Sequence, residues 1–115
     1  MRGPAYVPDV GDLIWTDFDP VRGREQAGRR PALVISSAEF TNFTNLVIVC
    51  PITSNVRPFP TSVVLPPGLP VFGEILTSHM RSIDTASRPI RYAGGTIPSE
   101  TAQLVRAKID SFITI

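Results

Sequence analysis

Short apolar blocks, each bounded by proline, glycine or polar turn residues, set the rhythm of this chain. "DLIWTDF" (12–18), "PALVIS" (31–36), "LVIVCPIT" (46–53), "TSVVL" (61–65) and "GEILTSHM" (73–80) read as strands. A weaker strand covers "RSIDTASRPIRYAG" (81–94). Several blocks are apolar at consecutive rather than alternate positions. Both strand faces are therefore predicted to be buried, in a small closed barrel or at a subunit interface. The connections "DPVRG", "NFTN", "NVRPFP", "PPGLP" and "AGG" carry turn chemistry. Towards the end the period changes. In "PSETAQLVRAKIDSFITI" apolar Val105, Ile109, Phe112 and Ile113 recur at helical spacing. Pro98 suits an opening turn, and Glu100 sits where the helix dipole favours an acid. The pattern predicts a mainly β fold: a small barrel with one amphipathic C-terminal α-helix packed on it.

Length narrows the picture. The 115 residues suffice for one domain, and neither repeats nor a low-complexity linker divide residues 1–115. With 43% hydrophobic residues a real core is expected. No apolar run approaches the ~20 residues that span a bilayer, and "MRGPAYVPDVGD" lacks the apolar stretch of a secretory signal. A cytoplasmic protein with no membrane partner is expected. The single cysteine, Cys50, has no partner for an internal disulfide or a CxxC metal site and reads as a small buried hydrophobe.

Net charge is only +1, a weak advertisement for nucleic acid, but its distribution says more. Ten of the eleven basic residues are arginine, and Arg22, Arg24, Arg29 and Arg30 fall in one short loop. GC-rich coding explains an arginine bias but not this clustering. "EQAGRRPALVIS" (25–36) sets two adjacent guanidiniums at the mouth of a core strand. Arginine stays protonated, so Arg30 beside apolar residues costs desolvation unless an anion meets it. Glu25 is one such anion, as a structural ion pair. Two arginines for one glutamate leave donors for a phosphate. "PITS" ends a strand with two hydroxyls, Thr53 and Ser54, which either cap the strand end or donate to a ligand. Asp17 and Asp19 of "DFDP" share a strand face but lack further ligands, so no metal is expected. Trp15 alternates with Leu13, which favours core packing over base stacking. No triad, GxSxG, HExxH, P-loop or dinucleotide fingerprint is present, and His79 is the only histidine.

Taken in order, "GDLIWTDFDP", "EQAGRRP", "PITS" and "RSID" resemble the MazF/PemK family of toxin endoribonucleases, or mRNA interferases, over nearly the whole chain. The resemblance implies an SH3-like barrel of the CcdB/MazF type with a terminal helix, assembled as a homodimer. It implies metal-independent, cofactor-free cleavage of single-stranded mRNA at short sequences, leaving a 2′,3′-cyclic phosphate and a 5′-hydroxyl. It also implies inhibition by a cognate, MazE-like antitoxin that covers the RNA groove. The essential arginine before proline falls on Arg30, the upstream glutamate on Glu25 and the strand-end threonine on Thr53. Arg29, Ser54, Ser78, His79 and Arg81 are the expected RNA contacts. Where the family commonly carries an acid and then Gln ahead of "R-[ST]-I-D", this chain has Ser78 and His79, a departure that bears on base recognition.

The implied chemistry suits these side chains. The ribose 2′-hydroxyl attacks its own phosphorus, so the protein need not supply a nucleophile. It must supply orientation, proton transfer and positive charge for the phosphorane oxygens. Arg30 offers a rigid fork to two of those oxygens, and Thr53 a hydroxyl to the same phosphate. Glu25 serves as base if burial raises its pKa. His79 is placed as an RNA contact, although histidines in general titrate near ~6.5 and suit acid–base work. The competing reading is a non-enzymatic CcdB-like toxin that binds a protein such as gyrase, for which the Glu25, Arg30 and Thr53 set is not needed. A peptide-binding SH3-like adaptor fits less well, because several of its nine aromatics fall in strands.

Overall fold

The computed structural model describes residues 5–18 and 29–115. Their order is β1 (Asp12–Asp17), β2 (Arg29–Val34), α1 (Ala38–Thr44), β3 (Leu46–Thr53), β4 (Ser62–Val64), β5 (Glu74–Leu76), a 3₁₀ turn (Thr77–His79), β6 (Arg81–Asp84), β7 (Ile90–Thr96) and α2 (Ser99–Asp110). The strands make one antiparallel sheet in the order β4-β5-β3-β2-β1-β7, with β6 also paired to β3. Strand β3 organises it. One edge pairs with β2; along the other, Leu46–Val49 pair with β6 and Ile52–Thr53 with β5.

The continuous apolar runs are buried on both faces. Leu13, Leu33, Cys50, Ile52 and Ile75 form the larger core, which Val105 of α2 completes. Ile14, Ala32, Val34, Val47, Val49 and Ile83 form a smaller core on the opposite face, closed by Phe18. Successive residues of β2 and β3 thus enter different cores, so polarity has no reason to alternate. Each such aliphatic, fully buried, contributes about 1.5–3 kcal/mol relative to exposure.

Five expectations need correction. The sheet is barrel-like but not closed, since β4 and β7 lie at its ends and do not pair. Helix α2 packs on the three-residue β4 instead. "NFTN" is the end of a helix. The Ser37 hydroxyl accepts from the Phe40 N–H at 3.1 Å, and Asn45, in the left-handed region at φ 63°, donates its N–H to the Thr41 carbonyl at 2.7 Å. Threonine and asparagine are indifferent helix formers, so these two caps decide the conformation. The strand expected over 73–80 stops at Leu76 and turns through Thr77–His79. The run 81–94 splits into β6 and β7, because the Asp84 carboxylate accepts from the Ala86 N–H and the Ser87 hydroxyl and folds the chain back. Helix α2 ends at Asp110, so Val105 and Ile109 pack inward while Phe112 and Ile113 lie beyond its last turn.

Candidate active site

Register decides which arginine goes where. Residues directly opposite in an antiparallel pair share a face. Arg30 lies across from Thr16 of β1, on the face of the smaller core; Arg29 lies across from Asp17, on the other. Between β2 and β3, Ala32 pairs with Pro51. The ladder ends there, and two residues beyond it on either strand stand Arg30 and Thr53. Both line a concavity of about 340 Å³, with His79 and Arg81 beside them and Phe18, Pro51, Ile52 and Leu76 as its apolar wall. The Arg81 guanidinium stands 5.3 Å from the centre of the buried Phe18 ring, a cation–π contact that orients it. Arg30 is exposed, but within this concavity rather than on an open surface.

The Thr53 hydroxyl accepts from the Asn55 N–H at 3.1 Å. It therefore caps the strand end and still has its own proton to donate. A second concavity of about 220 Å³ adjoins the first and shares Thr53, Leu76 and His79 with it. Ser78 belongs to this one, its Oγ accepting from the Thr61 hydroxyl at 3.3 Å. His79, exposed at the end of the 3₁₀ turn, lines both. Ser54 is exposed past the end of β3 and lines neither concavity. Arg29 faces away, in a separate concavity with Trp15, Arg91 and Tyr92; Trp15 also packs on the larger core. Glu25 and Asp19 lie outside the described residues, and so do Arg22 and Arg24. Asp17 faces Arg29 across β1–β2, and among the described residues no group of three His, Cys, Asp or Glu is placed to hold a metal ion.

Among the described residues the first concavity is electrostatically one-sided, because two arginines and a histidine line it without a carboxylate. Such a surface draws a polyanion. Among the described residues the acid lining the adjoining concavity is Glu74 on β5, directly opposite Thr53. It is 1% exposed and accepts from the Arg57 N–H at 2.7 Å and from the Ser62 hydroxyl. Those hydrogen bonds, the Ser62 hydroxyl first, hold its carboxyl below the usual range, against the opposing effect of burial. Its negative charge is thus spent on its own donors rather than on Arg30.

Glu74, Arg57 and Phe59 escaped the reading of the sequence. The signal for Glu74 was a lone carboxylate inside the apolar "GEIL". Gly73 escaped it too. At φ +141° it sits so close to β3 that an added Cβ would lie 2.3 Å from the Thr53 carbonyl oxygen.

Comparison with known proteins puts this arrangement in context. Residues 9–113 match the model of the PemK-like, MazF-like toxins of type II toxin–antitoxin systems. The endoribonuclease toxin MazF of Escherichia coli K12 is 43% identical over 108 residues, covering 94% of this chain and 96% of that protein. The endoribonuclease MazF9 of Mycobacterium tuberculosis is 35% identical over 107 residues, covering 84% and 89%. A crystal structure of MazF from Deinococcus radiodurans superposes with a TM-score of 0.84 at 41% identity, covering 96% of this chain and all of that one. The MazE–MazF complex from the same organism superposes at 0.83 and 38%, covering 96% and 99%. Sequence match and fold both extend over the strands that carry Arg30, Thr53 and Arg81, and the chain belongs to the PemK-like, MazF-like toxins of type II toxin–antitoxin systems.

Proposed function

We propose that residues 1–115 act as one toxin domain, an endoribonuclease that cuts single-stranded mRNA without a metal or cofactor. Its similarity to proteins named as MazF endoribonucleases supports the activity. One observation carries the site: Arg30 and Thr53, 23 residues apart in sequence, share one concavity with Arg81 and His79. In the proposed reaction the ribose 2′-oxygen attacks phosphorus, the 5′-oxygen leaves, and a 2′,3′-cyclic phosphate remains. Arg30 binds two non-bridging oxygens and Thr53 donates to the same phosphate, which fixes the in-line angle. Glu25 is the proposed base, on the strength of the family resemblance alone. DNA lacks the attacking hydroxyl, so RNA selectivity follows from the chemistry. Arg81 and His79 line the bound strand next to the scissile phosphate, with Ser78 further along. Arg29 and Ser54 serve as outer contacts, since they lie outside these concavities.

The proposed partners are an antitoxin, as in the MazE–MazF complexes of its structural relatives, and a second copy of the chain. An apolar groove of about 480 Å³ between α2 and the sheet, lined by Ile35, Ile48, Met80 and Ile109 among others, is the surface we assign to the second copy. Mixed-sequence single-stranded RNA incubated in EDTA tests the catalytic reading. Discrete fragments ending in cyclic phosphate, absent for Arg30→Ala, are expected. Intact RNA under all conditions would sink the enzyme reading and favour a toxin that acts by binding a protein.

A further inference from the structure

Among the described residues Glu74 is the only carboxylate lining either concavity, and the reaction proposed above does not use it. Burying an ionised carboxylate is costly unless donors surround it, and an apolar side chain would fill a position in β5 more cheaply. Its donors all belong to one stretch of chain. The Arg57 N–H donates directly, and the Ser62 hydroxyl donates to Glu74 while accepting from the Phe59 N–H at 3.1 Å. Two further ties close the same stretch: the Thr77 hydroxyl donates to the Thr61 carbonyl, and Lys108 Nζ of α2 donates to the Pro60 carbonyl at 2.7 Å. The segment 54–61 leaves β3 immediately after Thr53 and carries Arg57 and the 62%-exposed Phe59 along the second concavity. A guanidinium and an exposed ring one residue apart suit a phosphate and the base beside it. On a loop without backbone partners, ordering them would cost conformational entropy at each binding event.

We propose that Glu74 is a positioning residue for RNA, holding segment 54–61 so that Arg57 and Phe59 meet the strand that flanks the phosphate at Thr53. This rests on the ribonuclease reading, and it extends the site from the scissile phosphate to the adjoining nucleotides. Because Arg30 and Arg81 stand on other strands, loss of the clamp weakens binding of the strand more than the chemical step.

The test compares Glu74→Gln with wild type on a mixed-sequence single-stranded RNA. It then repeats the comparison in a chain carrying Arg57→Ala and Phe59→Ala. Glu74→Gln is expected to raise KM roughly tenfold, the worth of a lost hydrogen bond to a charged group, with kcat within about twofold. In the Arg57→Ala, Phe59→Ala background it should add little, since it acts through those residues. The Arg57 and Phe59 amides should exchange with solvent faster in Glu74→Gln, while those of β2 do not. A purely structural role would lower the active fraction, and so kcat, equally in both backgrounds. Unchanged KM, or effects that add fully, would overturn the proposal while Arg30-dependent cleavage by wild type left the enzyme reading standing. Absence of any wild-type cleavage would fell both, and visibly at the first step. Should Glu74→Gln fail to fold, Ser62→Ala removes one of the donors and must shift KM in the same direction.

Discussion

Replacing Gly73 with alanine tests how tightly the end of β3 is held. The added Cβ would lie 2.3 Å from the Thr53 carbonyl oxygen and 3.0 Å from both the Thr53 carbonyl carbon and Ile52 Cγ2. Ordinary contact begins near 3.4 Å, so β5 must retreat from β3 by about 1 Å. An L-residue held at positive φ adds about 1–2 kcal/mol of backbone strain, and overpacking adds about 1–3 kcal/mol. A total near 3 kcal/mol corresponds to a melting temperature lower by roughly 10 °C for a chain of this size. Thr53 shares the displaced backbone, and a misplacement of about 1 Å costs on the order of 10²-fold in rate. Gly68 supplies the control: its φ is +92°, but a Cβ there meets nothing within 4 Å. Gly68→Ala should therefore lose only the strain contribution and keep full activity. The assays are thermal unfolding by circular dichroism and RNA cleavage well below the lower melting temperature. Equal melting temperatures for the two variants, or full cleavage by Gly73→Ala, would refute the claim that close packing of β5 fixes the position of Thr53.

Arg30→Lys is expected to recover little of the ~10²–10³-fold in rate lost by Arg30→Ala, because an ammonium cannot grip two phosphate oxygens in one plane; single-turnover cleavage measures it. Ile109→Glu puts a charge into the apolar groove beside α2 and should shift sedimentation from dimer to monomer. A monomeric wild type would remove the second copy from the proposal. Burial pushes the Cys50 thiol up to about 12, which leaves on the order of a thousandth of the thiolate of an ordinary cysteine. Disulfide reagents should thus label the native protein orders of magnitude more slowly than the unfolded chain. A raised thiol also means that stability is complete below the ordinary cysteine value and declines as pH rises towards 12. Glu74 has the opposite sign. Its lowered carboxyl stabilises the fold above the ordinary glutamate range and loses that contribution as pH falls below it, so Glu74→Gln should flatten the acid limb of a stability–pH curve.

The strands and the terminal helix were legible because their signal is local. Runs such as "ALV" and "VIVC" state burial on two faces, and the two cores on opposite sides of β2 and β3 are that statement carried out. Arg30 and Thr53 were singled out through motif, and the structure brings them, from the ends of two strands, into one concavity. Segments decided by one hydrogen bond were not. The short α1 depends on the Ser37 and Asn45 caps, and the break between β6 and β7 depends on the Asp84 carboxylate. Composition alone does not announce either. Closure of the barrel was over-read for a related reason: apolar strands require covering, but not by another strand, and α2 brings Val105 to the larger core instead. Glu74 and Gly73 were illegible because their roles are relational. Each acts on Thr53 or its neighbours from the facing strand, about 20 residues further along the chain.

The placement of Arg29 and Arg30 shows why two guanidiniums stand at the mouth of a core strand. Pleating sends them to opposite faces, so "RR" is not a doubled charge on one site but one cation on each side of the sheet. Only the face of the smaller core offers Arg30 a threonine hydroxyl, because Thr53 follows Pro51 in the same register that pairs Pro51 with Ala32. A slip of one residue between β2 and β3 would move Arg30 to the face of Trp15 and bury Leu33 and Ala32 in exchanged cores. Such a slip is opposed by every buried aliphatic along both strands. The rigidity that the proposed phosphate-binding role needs therefore comes from the same apolar residues that fold the domain: Ala32, Leu33 and Val34 lock the register of β2, and Arg30, near the start of that strand, inherits that precision.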